Sequence, residues 1–569
     1  MPLQDRLRAA RGERRADLVF KGGRVLNVFT GEWILEDVAV CGDLIVGVGE
    51  YEGDTEIDCR GRSIVPGFID AHLHVESTML TPPALAREVL PSGTTTLIAD
   101  PHEIANVAGL PGLRYFLDAA AELPCRMRVM LPSCVPATPW DKGGAILDAA
   151  ALRTLREHPL VLGLGEMMDF PGVCAGEPAV MEKLQAFDGR VIDGHAPQLT
   201  GRALQAYRLA GVETDHECST GEEALEKLRA GFAVLVREGS AAHNLTAILS
   251  AVREAGVGYD RLAFCTDDKH IEDIRRDGHI RHNIRLAMAL GVEPADAYRM
   301  ASWNAARLYR LRRLGAVSAG YLADLVVLGD VREADVQAVY VGGALRWPRD
   351  PNPPVPAEEK GPELLFQTVK VGRMTGDRLR LRVPGDRMMP VIGVQPGQLT
   401  TAFLREPVPE RDGCFFPGNG YLKAAVVDRH HASGRVGIGI VKGLGLRGTA
   451  ASTVAHDSHN LIIVGDRDED MLLAVRELQR CGGGYTLVRD GEVLATLPLP
   501  VAGLMSDRSA DEVEAAQRRM SSLARGMGLP EGIDPFQTMS FLSLPVIPSL
   551  RLTDRGVFDV EGRRYLPTE

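Results

Sequence analysis

The chain has 569 residues, of which 45% are hydrophobic and 25% charged, and its formal net charge is −12. These values are typical of a globular protein with about two to four domains, and the acidic balance argues against a nucleic-acid partner. The amino terminus lacks an apolar core segment and no apolar stretch reaches about 18 residues, so neither a signal peptide nor a membrane span is expected. The nine scattered cysteines form no CxxC pair, which predicts reduced, buried thiols and a cytoplasmic location.

The first predicted elements are short strands over residues 17–65, where Val and Ile alternate with polar residues between glycine turns. The same pattern returns over residues 315–347, so we expect one small split β-sandwich built from residues 1–65 and 315–350. Between the two pieces, apolar runs alternate with helical stretches, which predicts parallel βα units. Eight such runs within residues 66–314 predict a (β/α)8 barrel: GFIDAHLHV, TTTLIAD, RMRVMLPSC, LVLGLGEM, GRVIDGHA, GVETDHEC, FAVLVREGS and RLAFCTDD.

A charged, Pro-rich segment, RWPRDPNPPVPAEEKGP, follows the second sandwich piece and predicts a domain boundary. Residues 361–569 contain glycine-rich strand patterns, a helical pattern at DEDMLLAVRELQRCGGG and another near residues 510–527. We therefore expect a separate C-terminal α+β domain and an α/β fold class for the chain.

Ionisable side chains follow six of the eight predicted barrel strands. In such a barrel the carboxyl ends of the strands converge on one mouth, where catalytic groups gather. The HLH motif places two imidazoles on one side of the first strand, since alternate residues of a strand face the same way. Neutral imidazole and carboxylate suit zinc, iron or manganese. The pattern predicts a metal site formed from His72, His74, Glu166, His195, His216 and Asp267, with Asp268 as the alternative to Asp267 and with His102 and Glu103 close to the same mouth.

Each of these residues also has a purely structural interpretation. A lone HxH motif is often a hydrogen-bonded pair, and a single Asp is often a helix N-cap. His270, His279 and His282 follow strand eight in a charged region and are expected at the rim, with His270 near enough to contact a substrate. Taken together, the ordered set of ligand-competent residues favours the metal site.

Several longer motifs occur together with the metal pattern. They are PGFIDAHLHVESTMLTP, GTTTLIADPHEIANV, VREGSAAHNL, CTDD and, in the last domain, VAHDSHNLIIVG and LPLPVAGLMS. With them the chain resembles the bacterial adenine deaminase family of the amidohydrolase superfamily over nearly its whole length. The resemblance implies a metal-dependent barrel inserted in a split β-sandwich, and hydrolysis of adenine to hypoxanthine and ammonia in purine salvage. It further implies a small purine base as the substrate, no nucleic-acid or membrane partner, and a homo-oligomer, a dimer or larger.

The resemblance also implies two divalent metal ions per chain, manganese or iron foremost and zinc as the alternative. Glu166 would bridge them, because the end of strand four offers GLGEMM and no lysine for the carboxylated-lysine bridge of many superfamily members. Asp268 is the alternative to Asp267 as the ligand from strand eight. The implied ligands are His72, His74 and Asp267 for one ion, and His195 and His216 for the other.

The implied reaction is attack of a metal-activated hydroxide on C6 of adenine. Asp267 would take the proton of that hydroxide and pass it to the departing amine, a general acid–base role. Glu166 would help to protonate ring nitrogen N1 if the metals leave it free. A purine also needs polar partners along its edge. The candidates are Glu76, Ser77, His102, Glu103, Ser133, His270 and, in the C-terminal HDSHN motif, His456 and His459.

Two other functions agree with the same metal pattern. A cyclic amide hydrolase or another nucleobase deaminase would share the ligands but not the long C-terminal domain with its HDSHN motif. A non-catalytic scaffold would have lost ligands, whereas all six expected positions hold ligand-competent side chains. The sequence therefore favours adenine deamination and leaves the metal identity open.

Overall fold

A computed structural model describes residues 2–348, 362–395, 398 and 400–567. The Pro-rich boundary segment predicted over residues 346–362 lies, from 349 to 361, outside the described residues. Within the described part of the chain, no helix is long and apolar enough to cross a membrane. All nine cysteines carry free thiols, and six are buried as predicted, but the prediction is wrong for Cys174, which is exposed.

The first part of the chain supplies a short helix and the strands of a mixed sheet. The strands are rich in Val and Ile, whose branched side chains pack well on a pleated surface. These elements are α1 (Leu3–Ala10), β1 (Ala16–Asn27), β2 (Glu32–Cys41), β3 (Leu44–Gly49), β4 (Gly53–Asp58) and β5 (Ser63–Pro66).

The eight apolar runs predicted as barrel strands are all strands, and their neighbours pair in parallel. Nearly every residue in them is buried, because a parallel sheet covered by helices has no solvent face. They are β6 (Phe68–Leu73), β7 (Thr94–Ala99), β8 (Arg126–Leu131), β9 (Val161–Met167), β10 (Val191–Gly194), β11 (Thr214–Asp215), β12 (Ala233–Arg237) and β13 (Leu262–Cys265).

Two arcs, β6–β10 and β11–β13, join to close the barrel. At one junction the Glu213 amide donates to the Ile192 carbonyl at 2.9 Å, and at the other the Asp267 amide donates to the His72 carbonyl at 3.0 Å. Leu73 and Asp267 also form a parallel bridge. The carboxyl ends of all eight strands therefore share one mouth, and His72 and Asp267 meet where the barrel closes.

Helices surround the barrel and follow the predicted alternation. In the GEEALEKLR helix the Thr220 hydroxyl caps the amino end, with acidic residues in the first turn and basic residues in the last. The helices are α2 (Pro82–Val89), α3 (His102–Ala108), α4 (Leu110–Ala120), α5 (Ala149–Arg153), α6 (Phe170–Ala175), α7 (Pro178–Ala186), α8 (Gly201–Leu209), α9 (Gly221–Arg229), α10 (Leu245–Glu254), α11 (Ile271–Asp277), α12 (Ile280–Ala289), α13 (Pro294–Met300) and α14 (Trp303–Leu308).

Three further strands return to the first sheet: β14 (Leu325–Leu328), β15 (Val336–Val341) and β16 (Ala344–Trp347). The sheet has the order β16-β15-β14-β5-β1-β2-β3, with β4 beside β1. Ile64 of β5 pairs with Val327 of β14, and the Phe20 ring meets the edge of Tyr340 with centroids 4.8 Å apart. The two chain-distant pieces thus form one sheet around the barrel insertion.

The C-terminal region is strand-rich and separate. Its main sheet has eight strands in the order β18-β17-β22-β21-β24-β23-β25-β26. Helices α15 and α16 occupy the two predicted helical patterns, whereas α17, capped by Asp534, was not predicted. The elements are β17 (Met388–Val394), β18 (Thr401–Pro407), β19 (Glu410–Arg411), β20 (Cys414–Phe415), β21 (Tyr421–Val427), β22 (Val436–Lys442), β23 (Thr449–Ser452), β24 (Leu461–Gly465), α15 (Asp468–Cys481), β25 (Gly484–Arg489), β26 (Glu492–Pro498), α16 (Ala510–Gly526), α17 (Pro535–Leu542), β27 (Leu550–Thr553), β28 (Gly556–Asp559) and β29 (Arg564–Tyr565).

The C-terminal domain packs against the barrel mouth through backbone contacts at separate points. The Ser506 amide donates to the Met79 carbonyl at 2.8 Å. The Asn460 side chain donates to the Lys142 carbonyl at 2.9 Å. These contacts bring the HDSHN segment, residues 456–460, over the strand ends that carry the predicted ligands.

Candidate metal centre

His72 and His74 meet Asp267 where the barrel closes. Their Nε2 atoms lie 3.2 Å apart, and Asp267 Oδ1 lies 3.6 Å from His72 Nε2 and 3.0 Å from His74 Nε2. His74 Nδ1 lies 2.9 Å from the Asp100 carbonyl oxygen. Because a carbonyl only accepts, Nδ1 carries a proton, and in the neutral imidazole Nε2 then keeps its lone pair toward the mouth.

Glu166, in β9, lies at the centre of four histidines. Its Oε2 is 2.7 Å from His195 Nδ1 and 3.2 Å from His216 Nε2. Its Oε1 is 3.1 Å from His102 Nδ1 and 3.6 Å from His74 Nε2. The two carboxylate oxygens therefore face different pairs of imidazoles, which is the arrangement that a bridge between two cations requires.

Asp267 rather than Asp268 contacts the histidines. Asp268 Oδ1 instead accepts a hydrogen bond from the Ser77 hydroxyl. Asp267 has a φ of +56°, a left-handed conformation that aspartate adopts more readily than most residues. This geometry favours Asp267 as the ligand from strand eight.

The donor set fits divalent cations. The donor atoms of His72, His74 and Glu166, and likewise those of His72, His216 and Asp267, lie within 4.8 Å of one another. Imidazole nitrogen and carboxylate oxygen are the ligands that zinc, iron and manganese accept. These side chains can therefore hold the two ions that the sequence predicts.

Electrostatics keep the carboxylates of this centre ionised. Burial opposes the charged form of Glu166, but the neighbouring His195 and His216 hold the pKa of Glu166 well below its usual range. Burial also opposes ionisation of Asp267, and the Arg237 guanidinium, with His72 and His74, lowers the Asp267 pKa well below its usual range. Both groups are thus anionic at neutral pH, the form that binds metal.

Arg237 and Glu217 belong to the site although the sequence analysis did not single them out. Arg237, the last residue of β12, donates from Nη1 to Asp267 Oδ2 at 2.8 Å and to Glu217 Oε1. Burial opposes the charge of Glu217, but Arg237 lowers the pKa of Glu217 to about 2. The available signals were a charged Arg237 at the end of the apolar stretch FAVLV and the place of Glu217 directly after His216 in GVETDHEC.

Asp100 was also missed. It follows β7 within the DPHE motif and supports two predicted ligands at once. Its Oδ2 accepts from the Glu166 amide at 2.8 Å, and its carbonyl accepts from His74. Asp100 therefore orients one ligand from each of two strands, a role that its place directly after a strand could have suggested.

Of the predicted substrate contacts on the barrel, three are already engaged with the protein. Glu76 Oε1 accepts from the Ile104 amide at 3.0 Å, and burial raises the pKa of Glu76 to about 7. The Ser133 hydroxyl donates to the Glu166 carbonyl at 2.5 Å. Ser77 Oγ lies 3.4 Å from a Glu103 oxygen.

The other predicted contacts fall in two places. His270 precedes α11 and lines a small cavity together with Met79, Tyr485 and Gln537. The remaining four lie together above the mouth, two within the HDSHN segment and two on the barrel beside it: His456, His459, His102 and Glu103.

The prediction that His279 is a rim residue is wrong. Its side chain is fully buried, with Nδ1 3.0 Å from the Thr94 hydroxyl and Nε2 3.0 Å from Asp70 Oδ2. Asp70 in turn accepts from the Thr266 amide at 3.1 Å. His279 therefore supports the closure of the barrel beneath the predicted metal ligands.

Replacing Arg237 with Met should lower the thermal midpoint of metal-free protein strongly. The change leaves Asp267 and Glu217 as buried carboxylates without their shared cation, and breaking a buried pair costs about 3–5 kcal/mol. Differential scanning calorimetry of both proteins measures the shift. Arg310→Met is the matched control, since Arg310 is about half exposed and pairs with Glu213 at the surface, where ion pairs are worth about 0–1 kcal/mol. Equal midpoints for Arg237→Met and wild type would contradict the expected result.

Comparison with known proteins agrees with this geometry. The model of the Amidohydrolase family matches residues 63–346, and that of the Adenine deaminase C-terminal domain matches residues 398–564. A protein named adenine deaminase from Desulfitobacterium hafniense is 46% identical over 561 residues, 98% of this chain and 98% of that protein. Another from Nitratidesulfovibrio vulgaris is 48% identical over 563 residues, 98% of this chain and 97% of that protein.

A further protein of that name, from Clostridium acetobutylicum, is 42% identical over 570 residues, 99% of this chain and its own full length. The similarity thus spans the β-sheet, the barrel and the C-terminal domain over the mouth. The chain belongs to the adenine deaminase family.

Proposed function

We propose that this chain hydrolyses adenine to hypoxanthine and ammonia at a centre of two divalent cations. The observation that carries the proposal is the position of Glu166, whose two oxygens face histidines from four strands or strand ends of one barrel mouth. Relatives named adenine deaminase cover the whole chain, including the domain above this mouth. A cyclic amide hydrolase is less well supported, because the matching C-terminal domain is that of adenine deaminases.

The residues that would hold the cations are the histidines and carboxylates whose side chains converge at the barrel mouth. When bound, two such cations lower the pKa of a shared water and supply hydroxide near neutral pH. Manganese or iron are the proposed ions, on the family resemblance, with zinc as the alternative. The proposed ligands are His72, His74 and Asp267 for one ion, His195 and His216 for the other, and Glu166 between them.

Asp267 is the proposed proton carrier. Its Oδ2 is fixed by Arg237 at 2.8 Å, while Oδ1 points toward the two histidines of the HLH motif. Oδ1 can therefore accept the proton of the nucleophile and donate it to the departing amine without a change in side-chain position. Because Arg237 stays paired throughout, the carboxylate returns to its ionised form after each cycle.

Glu166 is better placed for bridging than for protonating ring nitrogen N1. Both of its oxygens already face imidazoles at 3.6 Å or less. Protonation of N1 then falls to a buried acid nearby, and Glu76 is the proposed group. Burial raises the pKa of Glu76 to about 7, so this carboxyl can carry a proton at neutral pH.

We also propose, from the family resemblance, that the chain forms a homo-oligomer. A cytoplasmic location is proposed because nine unpaired cysteines suit a reducing compartment. The mass of the native protein, measured by light scattering against the 61.5 kDa of one chain, tests the first of these proposals.

Removing the metal should abolish deamination, and returning manganese(II) or iron(II) should restore it. The reason is that the bound cations lower the pKa of water and so supply the hydroxide that attacks C6. Ammonia release from adenine and metal content per chain are measured on the same samples. Magnesium(II) is the control, since it prefers oxygen ligands and should not restore activity. Full turnover by protein without measurable transition metal would overturn the proposed function.

A further inference from the structure

A second group of buried donors lies above the metal centre, where the C-terminal domain meets the barrel. We call it the accessory cluster. The barrel supplies two of its residues at the start of α3, and the HDSHN segment supplies the other three. It consists of His102, Glu103, His456, Asp457 and His459, all of them buried.

The donor atoms of the accessory cluster are spaced like the ligands of a metal ion. His456 Nδ1 lies 3.7 Å from Glu103 Oε1 and 3.7 Å from Asp457 Oδ1, and His102 Nε2 lies 3.9 Å from Asp457 Oδ1. These gaps are too long for hydrogen bonds. Ligands about 2.1 Å from one tetrahedral ion would lie about 3.4 Å apart, within about half an ångström of the observed gaps.

Several atoms of the cluster have no partner in the protein. Among the described residues, Asp457 Oδ2, Glu103 Oε2 and His459 Nε2 are buried and accept or donate no hydrogen bond. Buried polar atoms nearly always have a hydrogen-bond partner, so three unpartnered polar atoms in one place need an explanation. The ion-pair contacts of both carboxylates are to histidines, which carry no obligatory charge. A cation bound by both carboxylates would balance their negative charge.

The HDSHN segment is held in place by its own domain. Ser543 Oγ donates to the His456 carbonyl at 3.0 Å, and the His456 amide donates to Ser540 Oγ at 3.3 Å. The buried Arg429 guanidinium donates to the His459 carbonyl. Hydrogen bonds within the protein thus hold the donor atoms in position before any ion binds, as a preorganised site requires.

His102 separates the two groups of donors. Its Nδ1 lies 3.1 Å from Oε1 of Glu166 in the candidate metal centre of the barrel, while its Nε2 faces Asp457 in the accessory cluster. The two nitrogens of the His102 ring therefore face different groups of donors. An ion at the accessory cluster would have ligands that are not proposed for the two barrel ions.

We propose that the accessory cluster binds a third divalent transition-metal ion through His102, His456 and Asp457, with Glu103 and His459 close enough to complete the coordination. The ion joins ligands from the barrel to ligands from the C-terminal domain. It therefore fixes that domain over the mouth independently of the two ions bound below.

Equilibrium dialysis against manganese(II) chloride, followed by elemental analysis, tests the third site. Wild-type protein is expected to bind three ions per chain, whereas His456→Gln and Asp457→Asn are each expected to bind two. His431→Gln is the matched control, because His431 is an exposed histidine of the same domain and should leave the count at three. A wild-type count of two, or a count of three in both cluster variants, would overturn the proposal.

Anomalous diffraction at the manganese edge, on crystals of wild-type protein, locates the ions without any substitution. A third peak between His456 Nδ1 and Asp457 Oδ1 is expected. Water alone at that position, or bound adenine in contact with these side chains, would rule the site out even if the variants unfold. The same experiment separates the two proposals. Two peaks at the barrel without a third would leave the proposed function intact and exclude the third site. A peak at the accessory cluster with none at the barrel would contradict the proposed function and support the third site.

Discussion

Replacing Asp267 with Asn is expected to lower kcat for adenine deamination by about 10²- to 10⁴-fold, the usual contribution of a positioned acid–base group. The amide keeps the size and shape of the carboxyl but cannot carry a proton between nucleophile and amine. Arg237 can still donate to the amide oxygen in place of Oδ2, so the closure of the barrel should persist. Steady-state ammonia release measures the loss of turnover, and the thermal midpoint of the same sample checks that the barrel remains folded.

Asp268→Asn separates the two aspartates of the CTDD motif. Asp268 contacts Ser77 and no ligand histidine, so its replacement should cost less than that of Asp267. A rate within about threefold of wild type for Asp267→Asn, or a larger loss for Asp268→Asn, would remove Asp267 from its proposed role.

Replacing Glu166 with Gln is expected to reduce both metal binding and turnover. The substitution keeps the shape of the side chain and removes the negative charge that four histidines share. An amide offers a single oxygen as a ligand, so it cannot hold two cations as a carboxylate can. We expect one ion or none at the barrel and a loss of about 10³-fold in kcat, because a missing cation removes the means to supply hydroxide.

Elemental analysis and ammonia release are measured together on Glu166→Gln. Glu213→Gln is the control, since Glu213 pairs with Arg310 at the surface at 2.7 Å and should leave both quantities unchanged. Two tightly bound barrel ions in Glu166→Gln would show that this carboxylate is not the bridge.

Most of the barrel strands could be predicted from the sequence because they are runs of apolar residues that a parallel sheet buries on both faces. The positions of His72, His195 and His216 followed from the same pattern, since residues at the carboxyl ends of parallel strands meet at one mouth. Glu166 could be proposed as a bridge because its strand offered no lysine.

The supporting residues could not be predicted in this way. Arg237 stands in an apolar run, and its pairing with Glu217 and Asp267 depends on which strands are neighbours in the closed barrel. His279 lies in a charged stretch that is typical of surface, yet it is buried against Asp70. Asp100 acts partly through its backbone carbonyl, which no side-chain pattern reveals.

The contact between His102 and the HDSHN segment was equally hidden in the sequence. His102 and Asp457 are far apart in the chain, and their approach depends on how the C-terminal domain packs on the barrel. The motif HDSHN suggested ligands by its spacing alone, without indicating that Glu103 would complete the group. Helix α17, which supplies Ser540 beneath His456, was likewise not predicted, because most of its residues are apolar or uncharged and show no polar stripe.

The substrate profile of manganese-loaded protein tests the central claim most directly. Adenine, guanine, cytosine and hydantoin are each supplied, and ammonia release and product identity are measured. We expect conversion of adenine to hypoxanthine with one ammonia per base and no turnover of the other three compounds. Turnover of hydantoin or guanine in place of adenine, by protein with its barrel ions bound, would contradict it.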